Sequence, residues 1–262
     1  MASSRSPELK KRLGQHHLKQ PEVCRPLIGF LRPSGASVLE VGPGGGVLTR
    51  LLLPDALSVI GWELDLEWAF ALHHAEVNTD LQIVIGDALD VPWEHLRAGT
   101  LVTGNLPYGI ATRLILDLLV SAVGVPRAAF LVQLEVAERL VASPGESGYG
   151  SLSVVVQAYS RTRLLGKVAP GSFYPPPKVE SAFVGLDRVE PPLPIDQMAG
   201  FRDTVRAAFS HRRKTLRNSL GRAWGTAEAE VVLEAAGVSP ADRAEQIDLD
   251  GFVRLHKMRS EH

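Results

Sequence analysis

Five short apolar runs rich in β-branched residues punctuate the first two-thirds of the chain, at residues 37–41, 57–62, 81–85, 100–103 and 128–132. Each is followed by a turn and then by a longer stretch with helical spacing. Alternation of this kind predicts an α/β fold, a mostly parallel sheet with helices on both faces. Residues 151–159 and 181–186, read the same way, add two later strands as an antiparallel pair at one sheet edge. The segment Glu190-Pro191-Pro192-Leu193-Pro194 continues neither a helix nor a central strand. Beyond it the spacing is helical, and Phe201, Val205, Phe209, Leu216 and Leu220 share one face of a continuous helix. A break at 237–240 and a last helix at 249–258 complete the pattern. Residues 1–191 are therefore predicted to form the α/β domain, and residues 192–262 a small helical one.

Composition sharpens this picture modestly. The chain has 262 residues, 45% of them hydrophobic, enough to bury a core without cross-links. The single cysteine, Cys24, excludes an intrachain disulfide and suits a reducing compartment. No apolar run approaches the roughly 20 residues of a membrane span. The first residues are basic and polar, without the apolar region of a secretory signal. The prediction is a cytoplasmic protein with no membrane partner. The histidines, including the adjacent pairs His16-His17 and His73-His74, show no metal-ligand spacing, and no metal site is expected.

The formal net charge is −1, yet basic residues cluster. Arg212, Arg213, Lys214, Arg217 and Arg222 lie in a stretch without an acid, and Arg5, Lys10, Lys11, Arg12 and Lys19 accompany Glu8 alone. Local clusters on a neutral chain suggest a polyanion contact. Solvated helix faces are the other reading of the same charges.

Candidate chemistry sits at the ends of the predicted strands. The first runs into Gly42-Pro43-Gly44-Gly45-Gly46, where glycines permit a sharp turn and ligand contact with the backbone, and where the next helix offers its amide end. Val47 stands where a dinucleotide fingerprint requires its third glycine, so the loop suits a cofactor without a pyrophosphate. Glu63 ends the second strand, where a carboxylate meets the ribose hydroxyls of a bound nucleoside. Asp87 follows the third strand, where it can accept from an adenine amino group. Separately, each acid could be a loop residue or helix cap; their order after successive strands points to one nucleoside site.

The fourth strand ends in Gly104-Asn105-Leu106-Pro107-Tyr108. An exocyclic amine on adenine is a poor nucleophile because its lone pair is delocalised into the ring. The Asn105 side-chain oxygen and the Leu106 carbonyl could accept its two N–H bonds, Pro107 stiffens the loop, and Tyr108 could stack on the base. Acceptors that tighten as charge develops favour methyl transfer. An Asx-Pro turn beside a buried tyrosine is the structural alternative.

Together the Glu40-x-Gly42-x-Gly44-x-Gly46 loop and Asn105-Leu106-Pro107-Tyr108 resemble the KsgA family of small-subunit ribosomal RNA adenine N6,N6-dimethyltransferases. Further similarity lies in Lys11-Arg12-Leu13-Gly14-Gln15-His16-His17-Leu18, Val132-Gln133-Leu134-Glu135-Val136-Ala137-Glu138-Arg139, Phe173-Tyr174-Pro175-Pro176-Pro177-Lys178-Val179-Glu180-Ser181, the basic segment from Phe209 to Leu220, and Arg243-Ala244-Glu245. The resemblance implies a Rossmann-like class I methyltransferase sheet and a small carboxy-terminal helical domain that binds RNA. It implies S-adenosylmethionine as cofactor and S-adenosylhomocysteine as product. Cofactor contacts fall on His16, Leu18, Gly42, Gly44, Glu63, Asp87 and Asn105. Catalysis falls on Asn105, Leu106, Pro107, Tyr108 and Phe173, with Phe173 facing the base opposite Tyr108. Arg212, Arg213, Lys214 and Arg217 are the expected phosphate contacts. The implied substrate is a pair of adjacent adenosines in a 3′-end hairpin of 16S rRNA within the immature small subunit, and the protein is expected to act as a monomer. His17 departs from the family's usual phenylalanine, Leu134 from a lysine and Arg113 from a proline. Two rival functions remain beside this one: a large-subunit rRNA adenine methylase of the macrolide-resistance type, and a mainly non-catalytic ribosome-assembly factor.

Overall fold

A computed structural model describes Pro7 and residues 16–77, 79–211 and 213–261. Of the residues singled out above, Arg5, Glu8, Lys10, Lys11, Arg12, Leu13, Gly14, Gln15 and Arg212 lie outside the described residues. In chain order the elements are β1 (His17–Leu18), α1 (Arg25–Leu31), β2 (Ser37–Val41), α2 (Thr49–Leu52), β3 (Ser58–Glu63), α3 (Leu66–Ala75) and β4 (Leu81–Ile85). Then come β5 (Leu101–Asn105), α4 (Ala111–Ser121), β6 (Arg127–Gln133), α5 (Leu134–Val141), α6 (Ser151–Gln157), β7 (Ser160–Val168), β8 (Phe173–Tyr174) and β9 (Ser181–Arg188). Four helices follow: α7 (Met198–Ala208), α8 (Leu216–Trp224), α9 (Thr226–Ala235) and α10 (Leu249–Ser260).

The main sheet has seven strands in the order β4-β3-β2-β5-β6-β9-β7. Strands β2 to β6 run parallel, and β9 is antiparallel to β6, with Arg127 paired to Asp187 and Gln133 to Ser181. Strand β2 lies inside the sheet and its residues Val38 to Val41 are buried, the signature of a strand covered on both faces. Leu27 and Leu31 of α1 and Leu52 of α2 are fully buried in the same core; each such leucine contributes about 1.5–3 kcal/mol on burial. Because β2, β3, β4 and β5 are parallel, their carboxyl ends, and the loops after them, gather along one edge.

The chain divides into two compact units, Met1–Ala137 with Thr162–Arg188, and Glu138–Arg161 with Val189–His262. The second unit thus takes in residues upstream of the proline-rich segment, where the sequence placed the boundary at 191/192. The stretch it takes in, Glu138–Arg161, includes residues 151–159, expected as a strand. Ser151–Gln157 is instead the helix α6, and the strand that follows it is β7. The run Val154-Val155-Val156 favours a strand by propensity, but burial of Leu152 through Val156 lets packing decide. Ser153 donates from its hydroxyl to the Arg139 carbonyl at 2.5 Å, fastening the helix to its own unit.

The helical face predicted across 201–220 is also interrupted. Helix α7 ends at Ala208, Phe209–His211 forms a single 3-10 turn, and α8 begins at Leu216. The first amides of α8 donate to the carbonyls of Asp242 and Pro240, at 2.7 and 3.2 Å. Those acceptors satisfy a free helix start and let the chain turn. Phe201, Val205, Leu216 and Leu220 are buried, and Phe209 stacks on Phe252 with ring centres 5.6 Å apart. Among the described residues no helix is long and apolar enough to cross a membrane.

Candidate active site

The loop after β2 turns on Gly42 and Gly44, whose φ angles are 68° and 49°, values that suit glycine. A Cβ on Gly44 would stand 3.0 Å from the His17 ring. Thr49 closes the loop by donating to the Glu40 carboxylate at 2.7 Å. Burial pushes the Glu40 carboxyl up to about 7, against the opposing effect of that hydrogen bond and with help from nearby Glu63. Helix α2 has four residues, so the dipole expected to follow the glycine loop is short and weak.

Glu63 ends β3 and is buried. One carboxylate oxygen accepts from the Gly44 amide and the other from the Asp65 amide, both at 2.9 Å. These bonds lock the carboxylate's orientation while leaving lone pairs on each oxygen. Burial raises its pKa, and the two amides oppose that shift. Asp87 follows β4 and caps the next turn, accepting from the Leu89 amide at 2.9 Å through one oxygen. Its carbonyl accepts from the Trp62 indole at 2.9 Å. Trp62 approaches so closely that a Cβ on Gly86 would stand 2.9 Å from the indole nitrogen.

Asn105 ends β5, and its side-chain nitrogen donates to the His16 carbonyl at 2.7 Å. A carbonyl only accepts, so the amide must present its nitrogen there. Its oxygen is thereby left as the group available to a ligand. The His16 ring donates from Nδ1 to the Pro175 carbonyl at 2.7 Å, and β1 pairs antiparallel with β8. The ring faces that of Tyr108, 5.8 Å between centres and 23° between planes. The Tyr108 hydroxyl shares a 2.7 Å hydrogen bond with Ser181 at the start of β9; burial raises the phenol's pKa, and Ser181 opposes that shift.

These groups line one cleft of about 100 Å³. His16, Gly42, Gly44, Glu63, Asp87, Asn105, Leu106, Pro107 and Tyr108 all reach it. Leu18 is buried and faces an adjoining pocket beneath the glycine loop. Phe173, expected opposite Tyr108, does not line the cleft. It is 1% exposed and belongs to the core cluster with Leu18, its partner in the β1–β8 ladder. An aromatic beside prolines fits core or site equally well in sequence, and packing here selects the core. The ring facing Tyr108 is His16. Trp62, Leu64 and Ile110 also line the cleft and were missed; only adjacency to Glu63 or to the Asn105 loop could have flagged them. At the departures from the family pattern, His17 meets Trp68 edge-on at 4.4 Å, and burial lowers its pKa. Arg113 pairs with Asp117 along α4, and the Leu134 amide donates to the Glu180 carbonyl.

The predicted phosphate contacts lie in the helical unit. Arg213 and Lys214 are exposed on the turn before α8. Arg217 pairs through its Nε with Glu230 of α9, and Arg222 bonds to His211 at 3.0 Å. Packing α9 against α8 thus brings an acid to a segment that has none in sequence.

A mixed sheet of this order, with a glycine turn and buried carboxylate beside an Asn-Leu-Pro-Tyr strand end, is the architecture of Rossmann-like class I methyltransferases. Residues 7–260 match the family model for ribosomal RNA adenine dimethylase, and the chain belongs to that family. Ribosomal RNA small subunit methyltransferase A of Acidithiobacillus ferrooxidans is 40% identical over 254 residues, 95% of this chain and 94% of that one. Among solved structures, a dimethyladenosine transferase from Plasmodium falciparum matches with a TM-score of 0.78 and 26% identity, over 92% of this chain and 96% of that one. The 23S rRNA methyltransferase ErmE matches with a TM-score of 0.73 and 28% identity, over 93% and 99%.

Proposed function

We propose that this protein transfers methyl groups from S-adenosylmethionine to N6 of two adjacent adenosines in a 3′-end hairpin of small-subunit rRNA. It would do so in the cytoplasm, as a monomer acting on immature small subunits. The cleft suits such a cofactor. The glycine turn puts no side chain between Gly42 or Gly44 and a ligand, Trp62 and Ile110 give apolar walls, and Glu63 and Asp87 offer acceptors for ribose hydroxyls and an adenine amine. S-adenosylmethionine, when bound, supplies an electrophilic methyl group.

The chain's own residues prepare the nucleophile. Asn105, held through its nitrogen by His16, presents its oxygen to one N–H of the target amine, and the Leu106 carbonyl accepts the other. Both acceptances strengthen as nitrogen gains positive charge, so they stabilise the transition state more than the ground state. Tyr108, fixed at its hydroxyl by Ser181, offers its ring to a base that has left its stack. Arg213, Lys214 and Arg217 contact phosphates without reading sequence, with Arg212 assigned to the same role from the sequence.

The Asn105–His16 hydrogen bond carries the proposal, because it defines which end of the amide meets the substrate. The relative of 40% identity is named for the small subunit, which favours that target over the large-subunit one of ErmE. Incubating unmodified small and large subunits with labelled cofactor, then mapping the label by mass spectrometry of rRNA fragments, tests the assignment. Dimethylated adenosines in a small-subunit 3′ fragment are expected; label confined to large-subunit rRNA would reverse the target. Full support of subunit maturation by Asn105→Ala would make assembly binding the main role.

A further inference from the structure

We propose that the α/β unit holds a second, non-catalytic RNA phosphate site in an arginine-lined cleft at the amino end of the parallel strands. The inference rests on the reading of ribosomal RNA as substrate. The cleft measures about 230 Å³ and is lined by Phe30, Arg32, Arg127, Arg163 and Asp187. Arg127 is the first residue of β6 and lies directly across from Asp187 of β9. Asn105 pairs with Leu131, four residues further along β6, so the cleft lies about 13 Å down the strand from the catalytic asparagine at about 3.3 Å per residue. It is therefore separate from the methyl-transfer pocket and lies at the opposite end of the parallel strands, where it would hold a distant part of a large folded RNA.

Charge and geometry both point to an oxyanion. Three guanidinium groups face one carboxylate. Asp187 accepts from Arg127 Nε at 3.0 Å and forms an ion pair with Arg163 Nη2 at 3.2 Å, while Arg127 also donates to the carbonyls of Phe30 and Leu31. Arg127 and Arg163 both lie against the Phe30 ring, at 5.7 and 6.0 Å from its centre. That ring is seated on the sheet at Gly185, where a Cβ would stand 2.7 Å from it. The two heads are thus held rather than left to wander. Arg32 lines the same cleft from the end of α1, and among the described residues it makes no side-chain hydrogen bond or ion pair. It is also the one non-glycine residue among them with a positive φ, 51°. A purely structural clamp around Asp187 would need no third guanidinium. An anion in the cleft would relieve the mutual repulsion of the three and use the donors that Arg32 and Arg163 leave open, in the planar geometry that suits phosphate.

The test uses full-length Arg32→Gln, Arg163→Gln and the double variant, assayed on unmodified small subunits. Arg32 is exposed and unpaired and Arg163 is 61% exposed, so both variants are expected to fold; thermal melting checks this. The double variant should raise KM for the subunits about 3- to 10-fold, with kcat and cofactor affinity unchanged. It should also reduce the slope of log affinity against log salt, between about 50 and 200 mM, by roughly 0.7–0.9 per lost phosphate contact. Arg32→Lys should keep most of the slope. An unchanged KM and slope, beside a wild type that binds and methylates normally, overturns the arginine site alone. Protection of Arg32 from an arginine-selective reagent by inorganic phosphate, with KM unchanged, marks a free-anion site and also overturns it. A wild type that neither binds nor methylates subunits overturns both this inference and the rRNA reading.

Discussion

The candidate active-site cleft and the basic segment around α8 handle polar groups in opposite ways. In the cleft every functional side chain has a dedicated partner: Glu63 has the Gly44 and Asp65 amides, Asn105 the His16 carbonyl, and Tyr108 the Ser181 hydroxyl. In the basic segment, Arg213 and Lys214 are exposed on a turn, and the charge of Arg217 is partly answered by Glu230. Methyl transfer requires a geometry set before the substrate arrives, since reorganisation would be added to the barrier. A phosphate backbone requires positive potential more than fixed placement. Losses in the first region should therefore be large and insensitive to salt, and losses in the second small and dependent on it.

The largest expected effect is that of Asn105→Ala, which should lower kcat on the order of 100- to 1,000-fold while costing little cofactor affinity in calorimetry compared with Glu63→Ala. Second is Glu40→Gln, which tests the cost of the cleft's foundations. Burial holds this carboxyl near 7, so the folded state binds its proton more tightly than the unfolded chain does. Stability from this group is greatest below the ordinary glutamate range and falls as pH rises from about 4.5 through about 7. Urea melts should show Glu40→Gln gaining on the wild type across that window by on the order of 3 kcal/mol. Glu63→Ala should weaken cofactor binding by about 10- to 100-fold, as loss of charge-assisted hydrogen bonds does, and cut kcat far less than Asn105→Ala. Equal cofactor losses in Asn105→Ala and Glu63→Ala would erase the division of roles.

The basic segment supplies the small effects. Arg213→Ala should weaken RNA binding a few-fold and reduce its salt slope by roughly 0.7–0.9; an unchanged slope would remove the turn from the RNA surface. Glu230→Gln frees Arg217 and should tighten binding by about twofold at low salt, vanishing at high salt.

The strand ends were legible in the sequence because a parallel sheet collects its carboxyl ends along one edge. Gly42, Glu63, Asp87 and Asn105 needed only their order after successive strands to be placed in one site. What the sequence could not convey were choices made by packing and by distant partners. The valines of α6 have the composition of a strand, and Phe173 fits a core as well as a pocket. The carbonyl that orients Asn105 belongs to a residue 89 positions away, and a backbone group has no sequence signature at all. Glu230 reaches Arg217 only once α9 folds against α8. The Arg32, Arg127 and Arg163 cleft is likewise a product of strand register, since β9 brings Asp187 opposite Arg127.

The orienting role of Asn105 is tested most directly by a single-turnover measurement, with saturating labelled cofactor and unmodified small subunits, comparing wild type with Asn105→Ala. A transfer rate lower by on the order of 100-fold or more, with both ligands still bound, is the predicted result. Transfer at the wild-type rate would contradict the assignment of the strand-end amide as the group that prepares the adenine amine.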